Sequence, residues 1–454
     1  MRRWTRWSWS RQERADPMNA IANHELAGLV HPDRVHRRVY SDQAVFDLEM
    51  DRIFGRGWIY VGHESMAKKP NDFFSTWLGR EPIIITRDEE GRLHGLINRC
   101  PHRGAQVCSS PKGHAKHLTC PYHAWTFRMD GSLEAMPRMN GYDASFDRDA
   151  HGLPRIARVA SYRGFIFASL APKGPGLTEH LGSMAEALDN MVDRSPTGEL
   201  EAVGGVFHQE YAGNWKLHME NATDLVHPGV VHESSVVAGR ATAAGRPGEA
   251  ETQALQMLQA NGLTIADFDR VDLKGSPQGH TYMGAFYSKG DIAPERTDPD
   301  FLTYRAALVA RMGEVKTAAV LGRATFNNLI YPNISVNPLF QTMRRVQPLG
   351  PDRSIVHSSC FRMVGAPEDF FHKTITFLST ANSPSSLIST DDIAIFERTQ
   401  AGLVSQQSEW INLARNIHMD ETAADGSMTA KGTSEMAIRL QFKAWLHHMV
   451  GEAA

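Results

Sequence analysis

Residues 100–125, CPHRGAQVCSSPKGHAKHLTCPYHAW, put one cysteine and one histidine into each of two short clusters. Cys100-x-His102 comes first and Cys120-x-x-His123 second, with seventeen residues between His102 and Cys120. A C2H2 zinc finger groups its cysteines together and its histidines together. Here each cluster is mixed. That suits an asymmetric two-metal unit, with two thiolates on one iron and two imidazoles on the other, the ligand set of a Rieske [2Fe–2S] centre. Neutral imidazoles in place of anionic thiolates penalise the reduced cluster less, and the class spans roughly −150 to +300 mV. The Pro and Gly residues flanking both clusters favour tight loops whose backbone N–H groups can face the sulfurs.

A second stretch, NWKLHMENATDLVHPGVVHES at 214–234, carries another donor set. A helix is expected from Asn214 to just before Pro228, with Glu220, Asp224 and His227 at i, i+4 and i+7 on one polar face. His227 and His232 lie five apart across Pro228-Gly229, so they are not the i, i+4 pair of a zinc protease. Two histidines and one distant carboxylate make the facial triad of mononuclear Fe(II) oxygenases. STDDIAIFERTQAGL at 389–403 offers Asp391 and Asp392 at the head of a late helix. The helix macrodipole favours acidic residues there in any case, and Ser389 with Asp392 imitates a capping box. Asp224, three residues before His227, is placed to hold that imidazole in one tautomer.

The elements that must position these residues divide into two textures. An amphipathic helix is expected over 42–54, then a break at Gly55 and Gly57, then a strand from Trp58. Short β-like runs fill Phe73 to Leu170, with Asp130-Gly131 as a hairpin turn. Both Cys/His clusters fall at loop tips, after LIN and HLT. Beyond 170–176 strands are expected at 201–212, 278–287, 324–336, 340–348 and 354–364, and helices at 214–227, 297–313, 391–403 and 434–449. The fold class is therefore α+β: a small all-β domain over 40–172, and a domain over 173–454 with an antiparallel sheet flanked by helices. Residues 1–39 read as an N-terminal extension, with Met18 an alternative beginning, and 236–276 as a long loop of the kind that covers a site.

The chain has 454 residues, a formal net charge of −3 and only four cysteines. These exclude a general positive field for nucleic acid and a secreted disulfide framework. No apolar run reaches the roughly 20 residues of a membrane span, so a cytoplasmic location with no nucleic-acid or membrane partner is expected. Cys108 and Cys360 are expected as buried free thiols.

NRCPHRGAQV…TCPYHAWTF resembles the Rieske domain of bacterial Rieske non-haem iron oxygenases, in their large (α) subunit. Respiratory-complex Rieske proteins carry an extra cysteine in each loop, where Ala105 and Tyr122 stand here. N-W-K-x3-E-N-x2-D-x2-H-x4-H is similar to the same family's catalytic segment. The resemblance implies a [2Fe–2S] cluster on Cys100, His102, Cys120 and His123, and a mononuclear Fe(II) on His227, His232 and Asp392, with Glu397 and Gln400 following. It implies that Asp224 links His227 to His123 of a neighbouring subunit, in a trimer or an α3β3 assembly with a small β subunit. Asn221 and Glu220 are weaker candidates for support of that region.

The implied reaction is reductive O2 activation and hydroxylation of an aromatic compound, most simply cis-dihydroxylation. NAD(P)H is the ultimate donor, and because the sequence has no Gly-rich dinucleotide motif after a strand, a reductase, with or without a ferredoxin, must deliver the electrons. A mainly apolar pocket is expected from Leu225, Val226, Val230, Val231 and FNNLIYPNISVNPLF. Of Arg344 and Arg345, strand alternation lets only one point inward, where it could clamp an aromatic carboxylate. Three other readings compete: a monooxygenase or demethylase acting on a quaternary amine or methyl ether, a Rieske electron-transfer protein, and a zinc-stabilised structural protein.

Overall fold

The computed structural model describes residues 21–246, 255, 258, 261–284, 297–323 and 325–451. Its N-terminal part carries a four-stranded antiparallel sheet in the order Leu93–Ile97, Glu81–Arg87, Asp72–Leu78, Lys112–His114. Ile83, Ile84 and Ile85 are all fully buried because the two faces of this sheet are covered differently. Ile84 joins Cys100, Cys120 and Trp125 in one core, while Ile83 and Ile85 join the main core on the other face, the alternation a strand imposes. A second sheet of three strands, Leu133–Ala135, Thr126–Arg128 and His117–Thr119, carries the other loop. Its hairpin turns at Asp130-Gly131, with Gly131 N–H donating to Arg128 O at 2.9 Å.

The C-terminal part is built on a nine-stranded antiparallel sheet. Its order runs Leu200–Tyr211, Arg353–Met363, Thr342–Gly350, Ile334–Asn337, Phe326–Ile330, Thr281–Met283, Asp272–Gly275, Met428–Lys431, Glu421–Thr422. Helices Trp215–Asn221, Glu368–Asn382, Ser389–Gly402 and Met436–Val450 accompany it. Helix Glu368–Asn382 was not expected from the sequence, although its apolar positions Phe371, Phe377 and Leu378 are buried. The 324–336 run is two strands, Phe326–Ile330 and Ile334–Asn337, and 278–287 shortens to Thr281–Met283 within the described residues.

Three expectations need correction. Residues 21–39 are part of the fold: Leu26 and Val35 are fully buried, and Arg34–His36 pairs with Trp410–Asn412. Residues 1–20 of the expected extension lie outside the described residues. The 236–276 segment holds helix Glu233–Ala244, a turn of helix at Ile265–Phe268 and strand Asp272–Gly275; most of 247–260 lies outside the described residues. Helix 214–227 stops at Asn221. There the Thr223 hydroxyl bonds to Glu220 O at 3.0 Å and Asp224 accepts the His227 N–H at 2.9 Å, local bonds that compete with helix continuation. A new turn then begins with Pro228 at its first position, where proline costs no hydrogen bond.

Candidate functional site

The two Cys/His loops are built alike. Cys100 N–H donates to Ala105 O at 2.8 Å and Gly104 N–H to Cys100 O at 2.9 Å; Cys120 N–H donates to Trp125 O at 2.8 Å and Ala124 N–H to Cys120 O at 3.0 Å. Gly104 and Ala124 hold the matching fifth position with φ of 78° and 53°, the left-handed conformation that closes both turns. Cys100 and Cys120 are buried. Burial raises the Cys100 thiol pKa, with nearby Cys120 adding to it, while the N–H groups of His102 and Arg103 donate to its sulfur. His102 and His123 lie 4.6 Å apart, ring to ring, and His102 stacks on Trp125 at 4.9 Å. The Nδ1 atoms of His102 and His123 are buried without a hydrogen-bond partner. Two covered thiols and two orphaned ring nitrogens on paired loops fit a two-thiolate, two-imidazole cluster. All four cysteines are free, and Cys108 and Cys360 are buried as expected.

In the larger part, Asn214 fixes the start of the short helix Trp215–Asn221. Its Oδ1 caps Lys216 N–H at 3.1 Å, its Nδ2 donates to Pro351 O at 2.8 Å, and its own N–H donates to Gln400 Oε1 at 2.9 Å. Glu397 accepts the Ala212 N–H just before it. Glu397 and Gln400 thereby lock helix Ser389–Gly402 against the chain that leads to His227 and His232. Beneath, the fully buried Glu49 accepts from Trp215 Nε1 at 2.9 Å, Lys216 Nζ at 2.6 Å and Trp445 Nε1 at 2.6 Å, so two distant segments converge on a carboxylate from a third.

This clamp brings His227, His232 and Asp392 together, their donor atoms all within 4.8 Å of one another. Asp392 Oδ1 lies 3.3 Å from His232 Nε2 and 3.6 Å from His227 Nε2. Asn221 Nδ2 bridges the same two groups, 3.0 Å from Asp392 Oδ1 and 3.1 Å from His227 Nε2. Two imidazoles and one carboxylate on one side of a point suit a divalent iron that keeps open positions. Asp391 turns aside and lies 3.7 Å from His232 Nδ1. Glu220 leaves this group: its Oε1 is covered and unpartnered, and burial raises its carboxyl to about 8, against the opposing Tyr40 hydrogen bond. The expected common face of Glu220, Asp224 and His227 therefore does not form, because the helix ends between them.

Asp224 Oδ2 lies 3.0 Å from His227 Nδ1, and Oδ1 accepts from Arg415 Nη2 at 2.7 Å. Burial opposes its ionisation, yet the His227 contact and Arg415 bring it down to about 2. Arg415 gave no signal in the sequence, since nothing local links positions 191 residues apart.

A cavity of about 220 Å³ opens beside the triad, with His227, His232 and Asp392 in its lining. Leu225 and the 326–340 run contribute to its wall, with Phe268 and Phe377. Val226, Val230 and Val231 are not among its lining residues, and Val230 is 80% exposed. Arg344 reaches the cavity, whereas Arg345 turns away and donates to Thr76 Oγ1 at 2.8 Å, as strand alternation requires. Among the described residues no helix is long and apolar enough to cross a membrane.

Comparison with known proteins agrees with both parts. Residues 57–162 match the Rieske [2Fe-2S] domain and residues 199–452 the ring hydroxylating alpha subunit (catalytic domain). The chain is 32% identical to the 2-halobenzoate 1,2-dioxygenase large subunit of Burkholderia cepacia, over 87% of this chain and 82% of that one. It is also 32% identical to the anthranilate 1,2-dioxygenase large subunit of Acinetobacter baylyi, over 85% and 80%. Among solved structures, naphthalene 1,2-dioxygenase from Rhodococcus sp. bound to indole superposes with a TM-score of 0.76 at 26% identity, over 93% of this chain and 95% of that one. With paired cluster loops ahead of a histidine–carboxylate triad, and both domains matched in that order, the chain belongs to the ring-hydroxylating oxygenase α subunits.

Proposed function

We propose that this chain is a terminal oxygenase that takes electrons from a separate reductase and cis-dihydroxylates an aromatic substrate with O2. The observation that carries this reading is the His227–His232–Asp392 triad in the wall of a largely apolar cavity. Relatives named for 2-halobenzoate and anthranilate 1,2-dioxygenation support the aromatic substrate. Cys100, Cys120, His102 and His123 hold the cluster, and His227 Nε2, His232 Nε2 and Asp392 hold the iron. When bound, the cluster supplies electrons one at a time and the iron activates dioxygen. The chain's own residues do the rest. Asp224 fixes the His227 tautomer by accepting from Nδ1, Asn221 spaces Asp392 from His227, and the cavity wall orients the ring and excludes water.

Asp224 further links His227 to the cluster ligand His123 of a neighbouring subunit, so the working unit is a trimer, alone or with a small β subunit. The resemblance of the catalytic segment supports this assembly, as does a carboxylate already bonded to the back of His227.

Single-turnover chemistry tests the proposal. The reduced protein is given 18O2 and a panel of aromatic acids and hydrocarbons. A cis-diol carrying both labelled atoms is expected. One labelled atom, or a demethylated product, contradicts dihydroxylation, and no product at all supports an electron carrier.

A further inference from the structure

We propose that Arg344 is the anchor for a carboxylate on the substrate ring, so that the cavity selects aromatic acids over neutral aromatics. This rests on the aromatic-oxygenase reading above.

Arg344 sits on strand Thr342–Gly350, directly across from Ser335 on one side and Ser358 on the other. Its Nη2 donates to Asn327 Oδ1 at 2.7 Å and to Ser335 Oγ at 3.3 Å. Those bonds brace the guanidinium, and both come from Nη2; Nε and Nη1 make no hydrogen bond among the described residues. No carboxylate lies within ion-pair distance of it among the described residues; Asp392 acts on it only as a more distant charge. A half-buried cation without an ion pair is partly desolvated, and an arriving carboxylate offsets that cost through a bidentate contact.

Asn337 also lines the cavity, is 9% exposed, and has an Oδ1 atom with no partner, an acceptor suited to a donor group elsewhere on the ring and not to the carboxylate itself. The remaining wall is mostly apolar, with Leu263, Phe268, Phe326 and Phe377, and also holds Asn261, Thr342 and Asn382. A cavity near 150 Å³ admits benzene, so about 220 Å³ has room for a substituted ring. The same guanidinium repels a quaternary ammonium group, which sets the cavity against the competing amine substrates.

The alternative role for Arg344 is to offset the Asp392 charge without touching substrate. Anaerobic calorimetric titration of the iron-replete protein with benzoate and with the neutral isostere benzamide separates the two. Wild type is expected to bind benzoate at least tenfold more tightly than benzamide. Arg344→Gln should cut the benzoate-to-benzamide affinity ratio at least tenfold, and Arg344→Lys, which keeps the charge and loses the fork, should cut it partly. A wild-type ratio near one, or a ratio unmoved by Arg344→Gln, overturns the proposal. Should Arg344→Gln fail to fold, the wild-type ratio and the lysine variant still decide it. Benzoate bound through Arg344 without any oxygenated product would refute the oxygenase reading alone. Oxygenated neutral aromatics with no preference for benzoate would refute the anchor alone.

Discussion

Asp224 stands between two residues that fix it in opposite directions: His227 Nδ1 at 3.0 Å on one oxygen and Arg415 Nη2 at 2.7 Å on the other. The arginine keeps the carboxylate charged and aimed, and the carboxylate keeps His227 Nε2 facing Asp392. Removing the carboxylate therefore loosens a metal ligand from behind. Asp224→Ala should lower iron affinity or turnover by about 10–100-fold while leaving the cluster's absorbance intact, measured by iron assay and steady-state kinetics on the same preparation.

The two adjacent aspartates should separate cleanly. Asp392 Oδ1 faces both histidine Nε2 atoms, whereas Asp391 lies 3.7 Å from the far side of His232 and accepts from Ser234 Oγ at 3.2 Å. Asp392→Asn should lose the mononuclear iron and keep acid-labile sulfide. Asp391→Asn should keep both and cost less than about tenfold in turnover, below the range typical of groups that bond a metal-bound histidine. Equal iron loss in the two variants would reverse the assignment.

Glu220 makes stability depend on pH. Burial raises its carboxyl from 4.5 to about 8, so the folded chain binds this proton more tightly than the unfolded chain. The contribution is complete below pH 4.5 and fades as pH rises through 8. Glu220→Gln, which imitates the protonated form, should be the more stable protein at pH 8 by an amount on the order of a few kcal/mol. The difference between variant and wild type, followed by denaturant unfolding across this window, isolates Glu220 from the buried histidines that titrate there as well.

The paired loops predict a graded response at Gly104. With φ at 78° its obstacle is backbone conformation, since an added Cβ would meet Arg99 Nε only at 3.4 Å. Ala124 occupies the matching position with φ 53°, so a methyl group is tolerated at a cost of about 1–2 kcal/mol. Gly104→Ala should keep the cluster with a lowered melting temperature. Gly104→Val, β-branched, should lose cluster absorbance on purification.

The features legible in the sequence are those set by local spacing. Cys100, His102, Cys120 and His123 are close in the chain, and the turns that carry them declare themselves through Pro, Gly and Asp130-Gly131. The opposite faces of Arg344 and Arg345 follow from strand alternation. What escaped depends on contacts between distant segments or on competition within a few residues. The helix through 214–227 has a regular polar spacing, yet Thr223 and Asp224 bond the backbone of Glu220 and His227 and end it at Asn221. Arg415 reaches Asp224, and Leu26 and Val35 reach the core, only through tertiary packing that no periodicity announces. Val230 looked like pocket wall by composition and is exposed because the turn after Pro228 swings it outward.

The most direct test is to count the metals in wild type and in the double variant His227→Ala/His232→Ala. Nitric oxide with electron paramagnetic resonance reports the mononuclear ferrous ion, and the reduced cluster is read from the same sample. Both signals are expected in wild type, with only the cluster signal surviving in the variant and turnover abolished. A ferrous–nitrosyl signal that persists in the variant, or product formation at the wild-type rate, would contradict the placement of the oxygen-activating iron.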